Sequence, residues 1–283
     1  MTPRAMPTER QKRLGAELRK MRIAAGAPAE YAARLLGVDR TKISNFESGV
    51  RATAPDRVRT LACHFACPDE KYVAALENMA KERHRGWWED FRGTLPPGLL
   101  DIAELEWHAV GVRTFQVTHL PGLLQTEEYA RSIFEAVLPP MPRLNVELHV
   151  AHRMQRQQVL EGERSLTYLG YIHEAALRMQ FGGRKVALDQ LNYLLAMSER
   201  ANVTLRVLPV GTGAFPGAGH AMLYADGPVP QLDTVQLDSA GGPLFLYAES
   251  QLARYGDHLD WMERTALDPT QSRDFIHAVT NDL

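Results

Sequence analysis

Residues 26–49 read Gly26-Ala-Pro-Ala-Glu-Tyr-Ala-Ala-Arg-Leu-Leu-Gly-Val-Asp-Arg-Thr-Lys-Ile-Ser-Asn-Phe-Glu-Ser-Gly49. Two short helices are written into this stretch. Pro28 suits the first turn of one, where no intrahelical N–H is needed, and Glu30 follows at the positive end of the helix dipole. Gly37 closes that helix after Leu36. Asp39 is placed to cap a second helix, Arg40 to Ser48, and Gly49 stops it. Ala33, Leu36, Val38, Ile43 and Phe46 make the expected inner face, with small Ala33 letting the helices approach closely. Two helices joined by a short turn containing Gly is helix-turn-helix spacing.

The outward positions of the second helix are then Arg40, Thr41, Lys42, Ser44, Asn45 and Ser48. These are short or cationic hydrogen-bonding side chains. Reading base edges in a major groove needs that chemistry: Arg or Lys for guanine, Asn for adenine, Thr for a base edge or a thymine methyl. The first turn of such a helix meets the groove, so Arg40, Thr41 and Lys42 are the leading candidate base readers. Ser44 and Asn45 follow on the same helix. Arg51 and Arg57 are candidates for phosphate contacts, which position a protein on the duplex without reading sequence.

Working outward, Leu14, Leu18, Met21 and Ala25 recur at helical spacing over 10–25, and Gly26 ends that helix. A fourth helix starts near Pro55 and carries Val58, Leu61, Ala62 and Phe65. A fifth begins around Cys67-Pro68-Asp69-Glu70 and carries Tyr72, Val73, Leu76 and Met79. An all-α unit over 1–82 is expected. This unit resembles the XRE-type, or lambda-repressor-like, helix-turn-helix. The resemblance rests on Ala33, Leu36, Gly37 and Val38, then Ile43, Ser44, Glu47 and Gly49. It departs from the family at Ala29, where a Gln is usual, and at Pro28, which replaces a Ser or Thr cap.

Charge agrees with this division. The 283 residues carry a net charge of −2, but residues 1–60 hold 13 Lys+Arg against 6 Asp+Glu. The rest of the chain holds the other 19 Lys+Arg against 28 Asp+Glu. A basic head on an acidic body fits a head that meets a polyanion. The length suggests two domains. A composition of 45% hydrophobic and 23% charged residues excludes wholesale disorder, collagen and coiled coil. No apolar run is long enough to cross a membrane, Met1 to Lys12 lacks a signal-peptide core, and two cysteines make no disulfide framework. A cytoplasmic location without membrane association is the expectation.

Residues 83–98 are rich in Gly and Pro and read as a linker, anchored by Trp87, Trp88 and Phe91. Beyond it, 99–283 reads as α+β, or α/β. Helices are expected over Leu99–Trp107, from Thr126, over Asn145–Glu161, Glu174–Gln180, Lys185–Arg200, Ser250–Arg264 and Thr270–Val279. Strands are expected over Val110–Leu120 (with a slip in its alternation), Leu166–Ile172 and Val203–Val210, with shorter ones near Leu223, Gln231–Leu237 and Leu244–Tyr247. The second and third strands, separated by a helical crossover, should pair in parallel.

Within this body, Gly86-Trp87-Trp88, Leu105-Glu106, Pro121-Gly-Leu-Leu-Gln-Thr126 with Tyr129-Ala-Arg131, Glu174-Ala-Ala-Leu-Arg178, Gln190-Leu191 and Val207-Leu-Pro209 are similar to the C-terminal domain of actinomycete WhiJ-like and antitoxin-like regulators. The resemblance implies a transcription factor whose C-terminal domain senses, dimerises or binds a partner. The reading is therefore a sequence-specific regulator on double-stranded DNA, acting as a homodimer and controlled through 99–283. The alternative is an antitoxin-like protein that holds a small protein encoded nearby and autoregulates its operon; a small-molecule effector is the other implied partner.

Other chemistry is weaker. His149 and His152, at i and i+3 on a helix, have a spacing that zinc sites use and could join His173 and Glu174. But no Cys accompanies them, and His173-Glu174 lacks the second His of a His-Glu-x-x-His motif, so solvated or capping roles are expected for the histidines. Cys63 and Cys67 are expected as small buried thiols. The Gly211–Gly219 loop lacks a phosphate-loop Gly-Lys-Ser/Thr and reads as a connection or as the rim of an effector pocket. No catalytic residue, metal ligand or cofactor is expected.

Overall fold

The computed structural model describes residues 6–82, 86–162, 165–213, 215–216, 219–239 and 241–283. The chain divides into two compact units, Met1–Glu89 and Asp90–Leu283, and the division falls within the 83–98 segment. Arg83–Arg85 of that segment, and residues 214, 217 and 218 of the Gly-rich loop, lie outside the described residues.

The first unit contains α1 (Glu9–Ala24), α2 (Ala29–Leu35), α3 (Arg40–Glu47), α4 (Pro55–His64) and α5 (Glu70–Lys81). Local chemistry sets their ends. Thr8 and Gln11 form a capping box on α1. Asp39 accepts from the Lys42 N–H at 2.8 Å at the start of α3, and Asp69 does the same for Tyr72 at the start of α5. Pro28 is the cap residue of α2 rather than its first helical position, and it offers no side-chain cap. Leu14, Leu18, Met21, Ala33, Ile43, Phe46, Val58, Leu61 and Leu76 are buried. Leu36 and Val38, expected fully inside, are half-buried, because they lie on the turn rather than on a helix face. Inside this core, Tyr72 on α5 donates to Glu17 of α1 at 2.5 Å, while Arg13 pairs with the same carboxylate at 3.1 Å.

Trp87–Phe91 forms a short 3₁₀ turn, with Trp88 buried. The second unit then runs α6 (Pro97–His108), β1 (Gly111–Gln116), α7 (Glu127–Glu135), α8 (Arg143–Arg156), β2 (Thr167–His173), α9 (Glu174–Arg178) and α10 (Arg184–Met197). It continues with β3 (Val203–Leu208), β4 (Met222–Asp226), β5 (Thr234–Leu237), β6 (Leu244–Leu246), α11 (Glu249–Thr265) and α12 (Pro269–Asp282). This is the α+β class.

Among the described residues the strands form one six-stranded sheet in the order β3-β2-β1-β4-β5-β6. β1, β2 and β3 are parallel, whereas β4, β5 and β6 add antiparallel. β1 is shorter than the expected Val110–Leu120 and needs no slip: Val112 and Thr114 face one way, Phe115 the other, and Val110 is exposed. The sheet is covered on both faces. Val112, Tyr168, Ile172, Leu205, Val207 and Leu223 pack with residues of α7, α9, α10 and α12. Phe115, Tyr171, Met222, Tyr224 and Val235 pack with Leu252, Leu259 and Met262 of α11. Burying an apolar side chain of this size is worth about 1.5–3 kcal/mol, so both faces contribute to the stability of the sheet.

Candidate nucleic-acid interface

The turn between α2 and α3 is Leu36-Gly37-Val38-Asp39. Gly37 has φ of +60° and Gly49, just past α3, has +73°. Side chains with a Cβ disfavour that region. At Gly49 space matters as well: a Cβ there would stand 2.7 Å from the Gln11 backbone of α1. The helix-turn-helix is thereby held against α1 at the end of α3.

α3 is stabilised by its cap. The Lys42 N–H held by the Asp39 carboxylate, together with the Lys42 ammonium at 3.2 Å, draws Asp39 below the usual carboxylate range. Ile43 and Phe46 point into the core, so the opposite side of the helix is left outward. Thr41 and Ser44 are exposed, Asn45 is half-buried, and Ser48 is exposed. Positions 41, 44, 45 and 48 share one face by helical spacing. Among the described residues the side chains of Thr41, Ser44 and Asn45 make no hydrogen bond to protein, whereas Ser48 Oγ donates to the Asn45 carbonyl at 3.4 Å.

The candidate cations are less uniform. Arg40 pairs with Glu30 of α2 at 2.8 Å, both largely exposed. Lys42 turns back to Asp39. Arg51 is exposed, donates its backbone N–H to the Asn45 carbonyl at 3.0 Å, and has no ion pair among the described residues. Arg57 lies over the Phe46 ring with its guanidinium carbon 5.5 Å from the ring centroid. So the structure brings Arg40, Thr41, Ser44 and Asn45 onto one helix surface, with Arg51 in the loop that follows, while Lys42 and Arg57 are engaged locally.

Sequence reasoning missed two partners of this surface. Glu30 neutralises Arg40 across the turn, and Arg22 of α1 holds Glu47 at the end of α3. The signal for the second was two opposite charges beside otherwise apolar inward faces.

The side-site candidates are structural groups. His173 Nδ1 accepts from the Ala175 N–H and caps α9. Glu174 accepts from Val210 and Arg178. His149 bonds the Asn145 carbonyl and stands against Phe134. His152, expected to be solvated or capping, is instead buried against Phe91, and burial pulls it down to about 3. Cys63, expected to be buried, is exposed on α4, one position beyond buried Ala62, and Cys67 is half-buried. No described group of three or more His, Cys, Asp or Glu is arranged to hold a metal, and no described helix is long and apolar enough to cross a membrane.

Two helices at a short turn, locked to a third and presenting an open polar face, define a helix-turn-helix unit. The sequence matches a helix-turn-helix domain over residues 13–74, which gives the chain a DNA-binding domain. The chain belongs to the family of the domain of unknown function DUF5753, matched over residues 99–278, well over half of its length. No curated protein and no solved structure matches it.

Proposed function

We propose that the chain is a sequence-specific transcriptional regulator of the XRE type, allied to the WhiJ-like group, that lays α3 in the major groove. The observation that carries this is the outward face of Thr41, Ser44 and Asn45, whose side-chain donors and acceptors make no hydrogen bond among the described residues. Unused hydrogen-bonding groups on a helix that follows a short turn are what base readout requires. Arg40, Thr41 and Asn45 are assigned to bases and Arg51 to phosphate, with Arg57 supporting Phe46.

One such head buries too little surface for tight specific binding, so the working form is a homodimer on half-sites about one helical turn apart. The Asp90–Leu283 unit supplies the contact between protomers and the control. The test is binding to the DNA upstream of the chain's own coding sequence, against a random duplex. Asn45→Ala should weaken cognate binding by about 1–3 kcal/mol and leave random DNA unchanged. Arg51→Ala should weaken both and lower the salt slope by about one ion. Equal losses on both duplexes for Asn45→Ala would remove it from base reading.

A further inference from the structure

β1 is the strand at which the sheet changes character, parallel toward β2 and antiparallel toward β4. The carboxyl end of β1 lies there beside the amino end of β4, Phe115 opposite Met222. A cavity of about 220 Å³ lies at that end of β1, on the face covered by α11. Phe115 of β1, Met222 of β4 and Met262 of α11 form its apolar floor. Phe215 stacks on Phe115 at 4.7 Å and meets Trp261 edge-on at 4.9 Å. A dry cavity of about 150 Å³ accepts benzene, so this one has room for a ring and a small substituent.

Tyr255 adds a phenol to the lining, and the charged side chain there is a cation. Arg254, His220 and His258 line the cavity, and no Asp or Glu does so among the described residues. Arg254 is exposed on α11 and has no ion pair among the described residues. An amine would find no counter-charge here. A carboxylate would find a guanidinium whose geometry matches it.

The geometry points to this cavity as a binding site for a small aromatic carboxylate, its ring against Phe115, Phe215 and Met262 and its carboxylate at Arg254. Met and aromatic side chains suit a planar ring because they are polarisable and adapt to its edge. The regulatory consequence, occupancy changing DNA affinity, rests on the reading of the second unit as the controlling one; the binding itself does not.

The experiment uses the full chain and benzoate as probe, with benzamide as the neutral isostere and acetate as the anion without a ring. Titration calorimetry is the main readout, with the total tryptophan emission, to which Trp261 beside Phe215 contributes, as the second. Benzoate should saturate below about 10 mM, with benzamide and Arg254→Gln each weakening binding by about tenfold and Phe215→Ala weakening it severalfold. Arg254 is exposed and Phe215 half-buried, so both variants should keep the wild-type circular dichroism. No saturable benzoate binding, equal binding of acetate, or no loss in Arg254→Gln would overturn the site. A cognate-DNA titration with and without saturating benzoate separates the two claims. Binding that leaves DNA affinity unchanged supports the site and overturns control through it.

Discussion

Arg22 and Glu47 form a two-pronged ion pair, Nε to Oε1 at 2.6 Å and Nη2 to Oε2 at 2.9 Å, with side chains only 14% and 13% exposed. The third nitrogen, Nη1, donates to the Ala27 carbonyl at 2.8 Å. The hydrogen bond to Glu47 outweighs burial and raises Arg22 above its ordinary value. One guanidinium therefore ties α1, the α1–α2 turn and the last residue of α3 into a single body. The outward face of α3 is positioned by this clamp as much as by the apolar core.

Removing one partner from such a pair leaves the other charge without its counter-ion. Arg22→Met should destabilise the first unit by about 2 kcal/mol, below the full cost of a completely buried pair because both side chains keep some water. Hydrogen exchange of α1 and α3 amides in the full chain is the measurement. Unchanged protection would show that the pair contributes nothing.

The contact of α1 with α3 also leaves no room at Gly15. A Cβ there would meet the carbonyl oxygens of Phe46 and Glu47 at 2.5 and 2.6 Å. Alanine is about 1 kcal/mol better than glycine in a helix interior, but crowding a packed contact costs about 1–3 kcal/mol. Since the blocking atoms are backbone, Gly15→Ala should lower the denaturation midpoint. Gly256→Ala in α11, where a Cβ would meet nothing within 4 Å, should raise it. The same substitution is thus expected to have opposite signs, and like signs would refute the packing argument.

On the proposed reading of α3, Glu30 competes with DNA for Arg40. Both side chains are largely exposed, so the pair is weak and easily exchanged for a phosphate or base contact. Glu30→Gln should tighten DNA binding severalfold at low salt, and the gain should shrink as salt screens the charges. Fluorescence anisotropy at two salt concentrations reads this directly. A salt-independent gain, or none, would detach Glu30 from the interface.

His152 predicts how the second unit responds to acid. Burial first, then the positive charges of Arg156 and Arg153, pull it from 6.5 to about 3. Well above pH 6.5 the ring is neutral in both folded and unfolded chains, so stability does not change with pH on its account. As pH falls from 6.5 toward about 3, the unfolded chain takes up a proton that the folded chain refuses, so stability is lost. The slope is up to roughly 1.4 kcal/mol per pH unit within that window. Urea midpoints of the wild type and His152→Leu, compared between pH 7.5 and 5, should show the flatter dependence in the variant. Parallel curves would mean the imidazole is protonated in the fold.

The order of elements was legible because its signals are local. Asp39 caps α3 through a bond three residues away, and Thr126 caps α7 through Tyr129 in the same way. Gly26, Gly37 and Gly49 mark helix ends by their own backbone freedom, and Leu14, Leu18 and Met21 repeat at the helical period. These relations span three or four residues, so the chain carries them whatever its tertiary fold. The open face of α3 follows from the same arithmetic once Ile43 and Phe46 are placed inside.

Tertiary structure decided what depends on distant segments meeting. Arg22 with Glu47, far apart in the chain, and Glu30 with Arg40, across a turn, are pairings that no helical period announces. The insertion of β1 between β2 and β4, with Phe115 opposite Met222, depends on which strands collapse together, and alternation alone is silent on strand order. His152 shows the same limit: its neighbours on α8 suggest a polar surface, but Phe91, brought from the segment before α6, covers it. A residue's type and period say which side of its own element it occupies, whereas its partner is set by the packing of the whole chain.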